Sequence, residues 1–104
     1  MHINQFNDPD WDGTYQIVGN INGMNIILLK FKLSEARKVG RSNLVAIDDK
    51  DEILWIAQVP SMGFPSGVYY DVILNDGLLV GWYESTLVSI DPLTGKILSE
   101  RFVR

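Results

Sequence analysis

The chain has 104 residues, 46% hydrophobic and 21% charged, which is the size and polarity of one ordinary globular domain and too apolar for a disordered segment. Its formal net charge of −4 argues against a nucleic-acid backbone as partner, because phosphate contacts need positive charge. The absence of cysteine excludes disulfides, thiolate metal sites and a Cys nucleophile.

Residues 1–8 carry neither a charged n-region nor an apolar h-region, so no signal peptide is expected and a cytoplasmic location is the default. Asp8-Pro9-Asp10-Trp11-Asp12-Gly13 spells the first half of a calcium loop, in which alternating carboxylates and a turn-permitting glycine wrap a hard cation in oxygen. Asp8, Asp10 and Asp12 are therefore candidate metal ligands. The second half of the loop fails, because Gly19 stands where the bidentate Glu belongs and Gln16 fills the ninth position. The plain reading is an acidic lead-in to the first strand, with no metal and no other cofactor.

From there short apolar runs alternate with turn residues. Strands are predicted over 14–19, 24–31, 43–48, 53–59, 68–74, 78–84, 86–91 and 96–103. The turn signals between them are Asn22-Gly23, Asp49-Lys50-Asp51, Asn75-Asp76-Gly77 and Asp91-Pro92-Leu93-Thr94-Gly95. The run Ile26–Leu29 is too short to cross a bilayer, so no membrane contact is expected. Only 33–38 has helical potential, and for no more than a turn or two.

Five of the nine basic residues, Lys30, Lys32, Arg37, Lys38 and Arg41, crowd into one stretch that also holds this helical candidate. That stretch is a candidate surface for an acidic partner, set against the reading of a solvated loop. The cluster Asp48, Asp49, Asp51 and Glu52 reads as turn chemistry. Ile53–Val59 is apolar on both faces, as a doubly covered strand should be, whereas Lys96, Glu100 and Arg101 decorate the last strand as a protected sheet edge. The connector 60–67 carries Met62 and Phe64, which either plug an interface or form a contact patch. In the pairs Tyr69/Tyr70 and Trp82/Tyr83, alternation sends one member inward. Tyr70 and Trp82, in step with Val68, Val72 and Val80, are expected in the core, leaving Tyr69 and Tyr83 outward as candidate binding residues.

An internal repeat organises these elements. Leu44-Val45-Ala46-Ile47-Asp48 recurs as Leu87-Val88-Ser89-Ile90-Asp91, and Ile53-Leu54 as Ile97-Leu98 after a turn one residue longer. Each copy ends its strand on an Asp that opens a turn, and each is expected to put its Val and Ile into a shared interior. Asp91-Pro92 with Thr94-Gly95 suits a type I turn closed by a left-handed glycine; in the first copy, which has no glycine there, either Lys50 or Asp51 adopts that conformation or the turn differs. One domain results, with unit 1 over about 11–60, a connector over 60–67 and unit 2 over about 68–104; unit 1 alone carries an insertion over 32–42.

These residues resemble β-propeller blades of the quinoprotein and WD40-like sort. Asn75-Asp76-Gly77-Leu78-Leu79-Val80 is similar to a blade's inner hairpin, and Asp91-Pro92-Leu93-Thr94-Gly95-Lys96 to the turn of its outer hairpin. Asp48 to Trp55 is similar to the same outer hairpin ending in tryptophan. The chain also resembles a type of small, free-standing bacterial protein with a "V-x-A-x-D … I-L-W" half and an "I-D-P-x-T-G-K-I-L" half. A propeller needs about four to eight blades, so the resemblance implies an all-β antiparallel meander of about eight strands. Two blade-like four-stranded units pack together as a sandwich or strongly curved sheet, not as a closed propeller.

Catalytic chemistry finds no constellation, since His2 is the single histidine and no carboxylate pair stands apart from turn chemistry. The expected function is a non-enzymatic protein-binding module, such as an immunity-type inhibitor of a cognate protein. It would act as a monomer or small homo-oligomer and meet its partner through Lys30, Lys32, Arg37, Lys38, Arg41, Met62, Phe64, Tyr69 or Tyr83. The alternatives are a self-assembling propeller fragment and a calcium-binding β protein.

Overall fold

A computed structural model describes residues 11–31, 42–61 and 68–102. Most of the insertion and of the connector, including the helical candidate 33–38, lies outside the described residues. Among the described residues there are eight strands, and every pairing between them is antiparallel. The first sheet runs in chain order through β1 (Trp11–Ile21), β2 (Met24–Phe31), β3 (Leu44–Ile47) and β4 (Ile53–Ile56). The second repeats that order with β5 (Tyr69–Asn75), β6 (Leu78–Tyr83), β7 (Thr86–Ile90) and β8 (Ile97–Phe102). The eight-stranded antiparallel fold in two four-stranded units is thus observed, as a sandwich; among the described residues there is no helix and no closed propeller.

Turn chemistry sets the hairpins. Asn22-Gly23 (φ 52° and 81°) and Asp76-Gly77 (φ 53° and 78°) put both central residues in the left-handed region, which makes two-residue turns matched to strand twist. Asp48 Oδ1 accepts the amides of Lys50 (2.8 Å) and Glu52 (2.9 Å), and Asp91 Oδ1 accepts that of Leu93 (2.9 Å). The acidic cluster is therefore a side-chain-closed turn. Its left-handed residue is Asp51 (φ 61°), where the second unit has Gly95 (φ 75°). Each outer hairpin carries a bulge at the same place, with Leu54 and Leu98 as the extra residues.

The repeat extends to packing, but not with the expected symmetry. One core lies between the sheets and takes Ile26, Leu28, Leu44, Ala46, Trp55 and Ala57 from the first side and Tyr69, Val72, Leu79, Tyr83, Val88 and Ile90 from the second. Val45 and Ile47 are absent from it. With Ile27 and Leu29 they form a second cluster on the far face of the first sheet, covered in part by Trp11, Tyr15, Phe31, Ile53 and Ile56. All four repeat positions are buried (0% exposed), so each pair has an interior, but the two pairs occupy different ones. The sheets stack front to back: the face that carries Val88 and Ile90 in unit 2 meets the opposite face of unit 1. A one-residue change of parity separates the two arrangements, and strand periodicity alone does not choose between them.

A second expectation is also corrected. Ile53–Val59 is not a doubly covered central strand: among the described residues β4 pairs with β3 alone, and it ends at Ile56 and leaves Leu54 exposed at its bulge. The strands buried on both faces are β2 and β3, through Ile26–Leu29 and Leu44–Ile47. The expectation that β8 is an edge strand holds.

Polar contacts lock the sheets together. Asn43 (3% exposed) donates through Nδ2 to the carbonyls of Leu29 (3.0 Å) and Tyr69 (2.9 Å) and accepts the Tyr69 amide (2.8 Å) on Oδ1. Trp55 donates Nε1–H to the Pro92 carbonyl (3.1 Å) and lies over Gly95. The Ala57 amide still donates to the Leu44 carbonyl of β3 (2.9 Å), and from Gln58 on the chain turns to β8: the Gln58 amide donates to the Gly95 carbonyl (3.1 Å), Gln58 Oε1 accepts the Ile97 amide (2.8 Å), and Ser61 Oγ donates to the Glu100 carboxylate (3.1 Å).

Candidate functional site

Aligning the two left-handed hairpins sets Met24, Ile26 and Leu28 against Leu78, Val80 and Trp82. In the first sheet Ile26 and Leu28 belong to the inter-sheet core, with Met24 packed against it. In the second sheet the equivalent face points outward: Leu78 and Trp82 are exposed and Val80 is half-buried. The face that unit 1 buries against its neighbour is therefore left open in unit 2. Solvated faces of antiparallel sheets are ordinarily polar, so apolar residues at every outward position of β6 need another reason.

The strand register resolves this face into rows. Asp71 pairs with Trp82, Trp82 with Leu87, and Leu87 with Arg101, so one row runs carboxylate, indole, isobutyl, guanidinium across the sheet. The adjacent row is Ile73, Val80, Ser89 and Ser99. Ile73 is 53% exposed and Trp82 38% exposed, and Tyr70, at the β5 bulge beside Asp71, is 56% exposed.

The aromatic pairs are the reverse of expectation. Tyr69 and Tyr83 are buried (2% and 0% exposed) with their rings edge to face, centroids 5.1 Å apart, whereas Tyr70 and Trp82 are the exposed members. The cause is the bulge between Tyr69 and Asp71, which puts Tyr69 on the same face as Val72 despite their odd spacing. Val80 is an outward residue, so its step with Trp82 marks the outer face. Tyr69 donates its hydroxyl proton to the Gln58 carbonyl (2.8 Å). Burial pushes its phenol far above the usual tyrosine range, and Tyr83 and Glu100 push the same way. Tyr69 and Tyr83 are thus core residues and leave the candidate set.

Of the other expected site residues, Lys30 is exposed at the end of β2. It borders an apolar cleft of about 250 Å³ that Leu28, Phe31, Asn43, Val68 and Tyr70 also line. The Asn43 amide is used up in joining the sheets, so the cleft presents little directed polarity. Lys32, Arg37, Lys38, Arg41, Met62, Phe64, Asp8 and Asp10 lie outside the described residues, and Asp12 falls on β1. Among the described residues no group of three or more His, Cys, Asp or Glu is placed to hold a metal ion.

Sequence periodicity does not mark Ile73, Leu78 and Trp82 as outer-face residues; the hairpin alignment pairs Leu78 and Trp82 with Met24 and Leu28 of unit 1 but gives no signal for Ile73, whose counterpart is Gly19. These features define a class: a two-sheet, all-β protein with one sheet face left open and apolar. Residues 12–102 match the model of the DUF7957 family, a domain of unknown function, and the chain belongs to that family. No curated protein and no solved structure matches the chain.

Proposed function

We propose that the chain is a non-enzymatic protein-binding module that meets its partner through the outer face of the second sheet. One observation carries this reading: the face whose counterpart is core in unit 1 is solvent-facing in unit 2, with Ile73, Leu78 and Trp82 exposed. Aromatic and aliphatic anchors with charges at the margin are the usual make-up of an interface patch. The basic stretch is the alternative surface, and Lys30, exposed at the border of the apolar cleft, is its described member.

The test is affinity capture from native lysate with the wild-type chain, Ile73→Asp and Lys30→Glu in parallel. A stoichiometric protein retained by wild type and Lys30→Glu but lost with Ile73→Asp is the expected result. Retention by Ile73→Asp overturns the assignment of the face.

A further inference from the structure

The outer face of the second sheet matches a copy of itself, and we infer that this face pairs two chains across a two-fold axis running along the strands between β6 and β7. The inference rests on the binding role proposed above for the same face and names its occupant. Such an axis lays β5 over the partner copy's β8 and β6 over its β7, and keeps each cross-strand row opposite itself. In the first row, Asp71 of one copy then faces Arg101 of the other, twice per pair, and Trp82 faces Leu87. In the second row, Ile73 and Val80 face Ser99 and Ser89, large side chains over small ones.

Charge and shape thus select the same operator. A two-fold across the strands would set β5 on β5, with no opposite charge for Asp71 to meet. Head-to-tail stacking is closed for a different reason. It would seat this face on the far face of another copy's first sheet, where Ile27, Leu29, Val45 and Ile47 are already 0% exposed. An isologous pair is also the commonest form of homo-oligomer. Four strands span a footprint on the order of 400 Å² per copy, which suits a reversible contact rather than a permanent one.

Sedimentation velocity over about 10 µM to about 1 mM reads the outcome. Wild type is expected to shift from monomer to dimer across that range. Asp71→Arg alone and Arg101→Asp alone, each placing like charges in register, are expected to stay monomeric with unchanged circular dichroism. An equimolar mixture of the two variants is expected to dimerise again, because every facing pair is then opposite in sign. Wild type that remains monomeric throughout overturns the inference, as does a dimer that both single reversals leave intact, or a mixture that fails to associate. If wild type is monomeric while Ile73→Asp still loses a captured protein of another kind, the binding role of the face stands and the second copy alone is refuted. If both assays are negative, both fall.

Discussion

Gly95 and Trp55 show how one residue type is imposed by its neighbour. Gly95 has φ 75°, and a Cβ built on it lies 2.5 Å from Trp55 Cε3. The indole is held there by its bond to the Pro92 carbonyl. Gly95→Ala therefore meets left-handed strain and an aromatic wall together. It is expected to cost about 2–4 kcal/mol in urea unfolding, more than a left-handed alanine alone. Tyr69 gives a pH-dependent case. Its phenol is kept neutral in the folded chain beyond the range in which an unfolded tyrosine ionises, about pH 10. The stability it contributes is complete below that pH and is lost as pH rises from there toward the higher folded value. Between pH 9 and pH 11 the wild type is expected to lose more unfolding free energy than Tyr69→Phe, measured by urea melts at both values.

At the scale of elements, strand positions were legible to within a few residues because the punctuation is local. Asn22-Gly23, Asp76-Gly77, Asp48 and Asp91 each carry a turn instruction that no tertiary contact overrides. Face assignment was not legible at the bulges. Tyr69 and Val72 share a face although three positions apart, and no residue type marks where a strand will slip by one. The candidate site suffered most, since its aromatic members were assigned through that parity. The two outer hairpins also differ in cost: the first places Asp51 at φ 61°, where the second has glycine. Asp51→Gly is expected to raise stability by about 0.5 kcal/mol, as a higher thermal midpoint, because relief of left-handed strain slightly exceeds the added freedom of the unfolded chain.

For the whole molecule, the core between the sheets draws on both units, so neither has an interior of its own to fall back on along that plane. Ile26→Ala in the first sheet and Ile90→Ala in the second are each expected to cost about 2–5 kcal/mol. Each is expected to move a single transition, with far-ultraviolet circular dichroism and tryptophan fluorescence giving coincident midpoints. Separate midpoints for the two probes would show the sheets melting independently. The all-β class and the two four-stranded units were legible from the repeat. Their mutual orientation was not, because copies of one sequence can meet as mirror-like partners or in file, and both arrangements bury Val45, Ile47, Val88 and Ile90.

Packing in file gives the architecture a direction of growth. An appended third unit would find Leu78, Val80, Trp82 and Leu87 where Met24, Ile26, Leu28 and Leu44 already receive a neighbour. The mismatch is Ser99, which stands where Trp55 reaches across to the next unit's turn. Lengthening this protein by design is thus a matter of adding at the C-terminal side and restoring one indole, and the N-terminal side is already shut.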